Sequence, residues 1–252
     1  MVERSPAARR LLEPDSLQAP WFDAVRDVAG RVPGLLSGGA SWPAVAAIDA
    51  ALAPLAGVRF VASGKVRTRR RAGRAIDGEA IYEIHIASRR EVPTRPDNLH
   101  DLLNALAWAA FPASKWSLTA QLAAAQRARL ADRPWRLPGA RTRRHDRLAL
   151  LDEGGVLVAT GAGGAAALPA ALASGRARAL IFGHALLEHA LQGCLDVWGA
   201  ALVFAVDPAG STADLRGRLD AALAGALDGG SMLDDPEAWP RLALTDLAST
   251  PA

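Results

Sequence analysis

The chain is poor in several residue types, and each scarcity excludes something. Cys194 is its one cysteine, so no disulfide can form within it, and a paired-cysteine metal or redox site is ruled out. Lysine occurs only at Lys65 and Lys115, which leaves 27 of the 29 basic residues as arginine. Long apolar runs are missing too. The longest uncharged stretch, Gly154 to Gly175, holds six glycines and Pro169, and is too broken and too weakly apolar to cross a bilayer. No apolar run follows the arginines of Met1 to Arg10, as one would in a secretory signal. A soluble cytoplasmic protein in a reducing compartment, with no membrane partner, is the expectation.

What is present is a globular composition: 252 residues, 50% hydrophobic and 22% charged, which excludes disordered and fibrous classes. Such a chain can bury most of its apolar surface without disulfides or a structural metal. A pI near 9.7 invites a nucleic-acid reading. That reading weakens, because 27 arginines beside 56 alanines are the codon preference of a GC-rich bacterial genome. The charge is also unevenly spread, with +6 over residues 1–75, +4 over 76–150 and −7 over 151–252. The run Arg67 to Arg71 has no interleaved aromatics on which bases could stack, so it reads as a solvated edge first and a nucleic-acid contact second.

Patterning divides the chain into three parts: a helical N-terminal extension over 1–56, a mixed α/β core over 57–228 and a loose C-terminal tail over 229–252. Trp21 to Gly30 and Trp42 to Ala53 are apolar-patterned helical segments. Val58 to Ser63 and Ala80 to Ile86 alternate as strands do, with a turn at Asp77-Gly78, and Pro93 and Pro96 end that β region. Asp97 is placed to cap a helix over Asn98 to Ala110, and Pro112 opens another over Ala113 to Leu130. A loop with Pro134, Pro138 and Gly139 follows. Arg147 to Leu151 and Val156 to Thr160 read as a hairpin about Asp152-Glu153-Gly154-Gly155. Helix (Ala165 to Ser174), strand (Ala179 to Phe182), helix (His184 to Leu191), strand (Ala201 to Val206) and helix (Thr212 to Leu227) complete an α/β alternation. The fold class expected is α/β, or a mixed α+β variant of it, as a single domain with a mixed sheet flanked by helices.

Three patches carry chemistry. In Pro93 to Asn104, His100 and Asn104 share a helical face and Asp101 lies about 100° round it, on a helix that is apolar on nearly every side. These groups either cap and brace the helix start, or make a metal or phosphate site there. In Gly183 to His189, His184 follows a buried strand and opens a helix, where open α/β sheets bind ligands, and Glu188 sits one turn further on. The pair reads as a salt bridge, as two metal ligands, or as a base and the group that orients it. In the third, Arg143 to Asp146 leads on to Asp152 and Glu153, which are solvated turn residues unless the tip faces the other patches and offers oxygen ligands to a divalent ion. Gly161 to Ala166 fits G-x-G-x-x-A, but no acid stands at the ribose-binding distance, so it reads as a flexible turn.

At these same positions the chain resembles a bacterial family of uncharacterised proteins, domain of unknown function 3025. The carriers are Val92 to Arg95, His100 to Trp108, Phe111 to Lys115, Arg147 to Gly154 and Phe182 to Glu188. Leu103 and Thr119 stand where the family has Phe and Asn, and the second change makes Thr119 a poor site candidate. The resemblance groups the three patches but implies no substrate or cofactor.

Read together, the side chains point to a metal-assisted hydrolase of an anionic small molecule. Arg95 and Lys115 would bind the anion, His100, Asp101 and Asn104 would position metal or water, and His184 with Glu188 would serve as ligand or acid–base pair. Metal-ligand candidates are His100, Asp101, Asp152, Glu153 and His184. The alternative is a non-catalytic structural or interaction protein whose buried polar motifs only stabilise the fold. Nucleic acid is not the partner expected, and the oligomeric state is open.

Overall fold

The structure, a computed structural model, describes residues 17–36, 42–63, 79, 81–132, 142–161, 168–230 and 239–247. A 3-10 turn (Pro20–Phe22) leads into α1 (Arg26–Ala29), α2 (Val45–Ala56), β1 (Arg59–Ala62), α3 (Tyr82–Arg89), β2 (Glu91–Thr94), α4 (Leu99–Ala110) and α5 (Pro112–Asp132). Then come α6 (Arg143–Gly154), β3 (Gly155–Ala159), α7 (Leu168–Ala173), β4 (Arg178–Ile181), α8 (His184–Gln192), β5 (Trp198–Phe204), α9 (Thr212–Asp228), β6 (Arg241–Ala243) and α10 (Leu244–Leu247). The α/β reading is right, but the strands form two sheets, not one. β1 and β2 make a parallel pair, and the larger sheet has the order β4-β3-β5-β6, with β3 and β5 parallel and both outer pairings antiparallel. One buried apolar cluster runs from Leu17 to Leu247 and includes all five residues of β3 except Gly155. No helix among the described residues is long and apolar enough to cross a membrane.

Two segments expected as strands are helices. Residues 82–89 form α3, because β1 and β2 run parallel and a parallel pair needs a crossover, not a hairpin. The alternation read over Ala80 to Ile86 did not distinguish the two. Arg143–Gly154 likewise form α6, not the first strand of a hairpin. Thr142 Oγ1 accepts from His145 N–H at 3.2 Å, and the buried residues His145, Leu148 and Leu151 recur every third position, which is helical spacing. Asp152 and Glu153 therefore ride on the last turn of a helix.

Smaller corrections have equally local causes. Pro93 lies inside β2 instead of ending it. Arg59 N–H donates to Arg90 O and Ser63 N–H to Thr94 O, an alternation that turns Val92 and Thr94 towards β1 and leaves position 93, which has no N–H, facing away. The cap of α4 is Asn98, whose side chain accepts from Asp101 N–H at 2.9 Å, while Asp97 adopts a left-handed turn at φ 52°. Residues 241–247, expected in a loose tail, pair as β6 with β5 and bury Leu242, Leu244 and Leu247. The Asp77-Gly78 turn, the Arg67 to Arg71 run, the loop with Pro134, Pro138 and Gly139, and Gly163-Gly164 lie outside the described residues.

Two long-range carboxylates fix the frame around the site. Asp220 on α9 accepts from Ala113 and Ser114 N–H at 3.1 and 2.8 Å, supplying the N-terminal cap that α5 lacks in its own sequence. Asp49 on α2 accepts from Phe60 N–H at 2.7 Å and Arg59 Nε at 2.8 Å, tying that helix to β1. The Arg59 hydrogen bond, outweighing the opposing effect of burial, holds the Asp49 carboxyl below the usual aspartate range. A folded-state value below the unfolded one stabilises the fold above the unfolded pKa and is lost as pH falls through the folded one. Asp49→Asn should cost about 1 kcal/mol in urea denaturation at neutral pH, and the gap from wild type should close as the solution is acidified past the aspartate range.

Candidate metal centre

Three helix ends converge on one cavity of about 840 Å³: the start of α4, the end of α6 and the start of α8. Gly183 permits the last approach. A Cβ there would stand 2.5 Å from Glu153 O and from Gly154 N, so a side chain at 183 would push α8 off the end of α6. With glycine, His184 and Glu153 become neighbours, their Nε2 and carboxylate oxygen 3.8 Å apart.

The two histidines meet nitrogen to nitrogen, with His100 Nε2 3.0 Å from His184 Nε2. Each ring is held by its other nitrogen. His184 Nδ1 is 2.9 Å from the backbone oxygen of Asp152, which can only accept, so this nitrogen carries the proton. His100 Nδ1 is 3.1 Å from Glu188 Oε2. The hydrogen bond from His100 is the main cause that lowers the Glu188 pKa, so the carboxylate is the acceptor here as well. Both Nδ1 positions are thus donors, and two Nε2 atoms with acceptor character face each other. Only a cation between them, a proton or a metal ion, makes that arrangement favourable. With a proton as the cation, His100 carries it: the Glu188 hydrogen bond raises the His100 pKa, whereas burial lowers that of His184 to about 4.

Glu153 completes a cluster in which one ligand atom each of His100, Glu153 and His184 lies within 4.8 Å of the others. Ligands about 2.1 Å from a tetrahedral zinc stand about 3.4 Å from one another; the observed 3.0 and 3.8 Å lie on either side of that, and the His100–Glu153 separation, within 4.8 Å, has further to close. Glu153 is half-exposed, and desolvation raises its carboxyl pKa. Orientation of each ligating imidazole through its second nitrogen, by a carboxylate or a carbonyl, is the usual support of a histidine metal site.

The other candidate residues surround this cluster in different roles. Asp101 stays outside it: its carboxylate takes Arg95 Nε at 2.9 Å, Nη2 at 2.7 Å and the Arg95 backbone N–H at 2.7 Å. Arg95, expected to receive an anion, is thereby engaged. Lys115, the second expected anion binder, is buried behind the wall, giving hydrogen bonds to Asp152 Oδ1 at 2.5 Å and Asn104 Oδ1 at 2.8 Å. Burial works to raise the Asp152 pKa but is outweighed by Lys115, so the group is held low and ionised as the partner of that ammonium instead of a metal ligand. Asn104 lines the cavity and donates through Nδ2 to Tyr82 Oη at 3.1 Å. Tyr82, Ser63 and Glu83 line the cavity too, unforeseen in the sequence because Tyr82 and Glu83 were placed on a strand. Among the described lining residues, Arg95 is the one lysine or arginine against five carboxylates: Glu83, Asp101, Asp146, Asp152 and Glu153.

The profile of a family described as protein of unknown function (DUF3025) matches residues 70–245. The chain belongs to that family. No curated protein and no solved structure matches it. The match takes in all three converging helix ends, so the cluster of His100, Glu153 and His184 lies wholly within the DUF3025 region.

The Lys115–Asp152 pair can be tested as a buried ion pair. Lys115→Met leaves the Asp152 carboxylate without its cation and should cost about 3 kcal/mol in urea denaturation, whereas Lys115→Met with Asp152→Leu should regain most of that loss. An anion-binding Lys115 would leave both variants close to wild type in stability.

Proposed function

We propose that this DUF3025 protein is a cytoplasmic metal-dependent hydrolase, with His100, Glu153 and His184 holding one divalent ion, zinc being the best match to the donors. The observation that carries this reading is the 3.0 Å approach of two Nε2 atoms whose Nδ1 partners are both acceptors. Two histidines and a carboxylate on one side of an ion, with the other side open to a cavity, is the arrangement of catalytic zinc; structural sites are closed by four protein ligands. An ion so held supplies a water nucleophile at neutral pH and polarises a bound oxygen. The substrate is a small molecule whose reacting oxygen reaches the ion. Lys115 is buried against Asp152, and Arg95, which lines the cavity, is paired with Asp101, so neither is counted as a partner for its charge in this reading. The structural reading accounts for Arg95, Asp101 and Lys115 through their ion pairs, and a proton on His100 Nε2 would satisfy the histidine pair as well; the third ligand Glu153 and the open cavity beside the pair favour the metal.

Zinc titration of chelator-treated protein, followed by calorimetry and by thermal unfolding, tests the proposal. One equivalent should bind and raise the unfolding temperature. His184→Asn, which keeps a donor for Asp152 O but loses the ligating nitrogen, should weaken zinc at least about 100-fold. Hydrolysis of a panel of nitrophenyl esters and phosphates should depend on the ion. Stoichiometric zinc binding unaltered in His184→Asn and in His100→Ala, or no binding at all, would overturn the reading.

A further inference from the structure

We infer that Tyr82 is the hydrogen-bond donor of this cavity, presenting its phenolic proton to an oxygen of whatever ligand the metal centre holds, and that Asn104 and Lys115 are the positioning residues that fix its direction. The inference rests on the metal reading of the same cavity and deepens it. It follows from donor and acceptor bookkeeping along a chain of three side chains.

The chain starts at Lys115. An ammonium has three donors and no acceptor, so the Asn104 atom 2.8 Å from Nζ must be the amide oxygen. That fixes which way the amide lies and turns its NH₂ towards Tyr82 Oη, 3.1 Å away. The phenol oxygen therefore accepts from Asn104, and the phenol proton has to point elsewhere. Among the described residues, Tyr82 Oη donates to no acceptor. Tyr82 is 42% exposed and lines the cavity, so its proton is free to turn into the space that His100, His184 and Glu153 also line.

The surroundings keep the proton on the oxygen. Burial, and after it the carboxylates of Asp152 and Asp101, push the phenol pKa above its ordinary value, so Tyr82 is a neutral donor throughout the physiological range. Lys115 cannot rotate away, because Asp152 Oδ1 takes a second of its protons and its side chain is only 3% exposed. A donor fixed in advance, in the cavity that the candidate metal ligands also line, suits a carbonyl or phosphoryl oxygen on which negative charge develops. The ligand class assigned is thus an oxygen acceptor that bridges the ion and the phenol.

The chain contains a single tyrosine, so one ¹³Cζ tyrosine resonance reports on this position alone. Zinc titration of the wild type comes first and decides the metal reading by itself. The probe is then acetohydroxamate on zinc-loaded protein, since its oxygens both bind zinc and accept hydrogen bonds. Tyr82→Phe should weaken acetohydroxamate about tenfold while leaving zinc affinity within about twofold, the effect of one lost hydrogen bond. Asn104→Asp retains an acceptor for Lys115 but replaces the NH₂ donor with an acceptor, so the phenol should turn its proton to the new carboxylate. The same tenfold loss is then expected with the hydroxyl still present, and the probe should move the Tyr82 resonance in wild type but not in Asn104→Asp. If Asn104→Asp does not fold, Tyr82→Phe and the wild-type resonance still decide. Zinc binding with unchanged probe affinity in Tyr82→Phe would overturn this inference and leave the metal centre standing. A wild type that binds no zinc would overturn both.

Discussion

An ammonium group shut inside a protein needs an anion and oxygen acceptors within reach, and at Lys115 that requirement organises three elements at once. Asp152 must reach it from the last turn of α6, and Asn104 must reach it from the middle of α4. The rest of the site follows. Holding Asp152 in place holds its backbone oxygen against His184 Nδ1, and holding Asn104 sets the direction of the next hydrogen bond outwards. A buried ion pair is a poor source of net stability when compared with apolar packing. Its value in this molecule is geometric: it fixes the end of α6 relative to α4 with an accuracy that interdigitating alanines and leucines would not impose.

Much of the frame was legible from residues alone, for reasons that also explain the failures. The segment from Leu99 to Ala110 is apolar almost all round, and that admits only a buried helix. Short continuous runs such as Ala179 to Phe182 and Ala201 to Val206 mark strands covered on both faces. Residues 82–89 and 147–151 failed because runs this short carry little period. Leu148, Ala149, Leu150 and Leu151 suit a strand as well as a helix until the spacing from His145 is counted. The correct state of 82–89 is settled by the direction of β2 relative to β1, a fact of pairing and not of propensity.

The site divides in the same way. His100, His184 and Glu188 stand out in the sequence because polar side chains in apolar helix starts require partners. Glu153 was a candidate only on condition that its turn faced the other patches, and it joins them because α6 is a helix ending against Gly183. Arg95 and Lys115 looked like anion binders because sequence shows a charge without its counter-charge. Asp101, six residues from Arg95, and Asp152, 37 residues from Lys115, neutralise them in the folded state. Tyr82 was hidden by the misread strand, and its role depends on an amide orientation that no one-dimensional pattern encodes.

The closing of α8 onto α6 has a consequence for how the site comes into being. His100 and His184 are 84 residues apart, and the backbone oxygen that orients His184 is 32 residues before it. The first 150 residues display His100 with neither Glu153 nor His184, so a chain of that length carries no preformed cluster for stray ions. The cluster is complete only once α8, which follows β4, lies with Gly183 against the end of α6. Occupancy of the site would then mark a chain in which α8 has reached α6, and a chain that ends before α8 would be chemically silent.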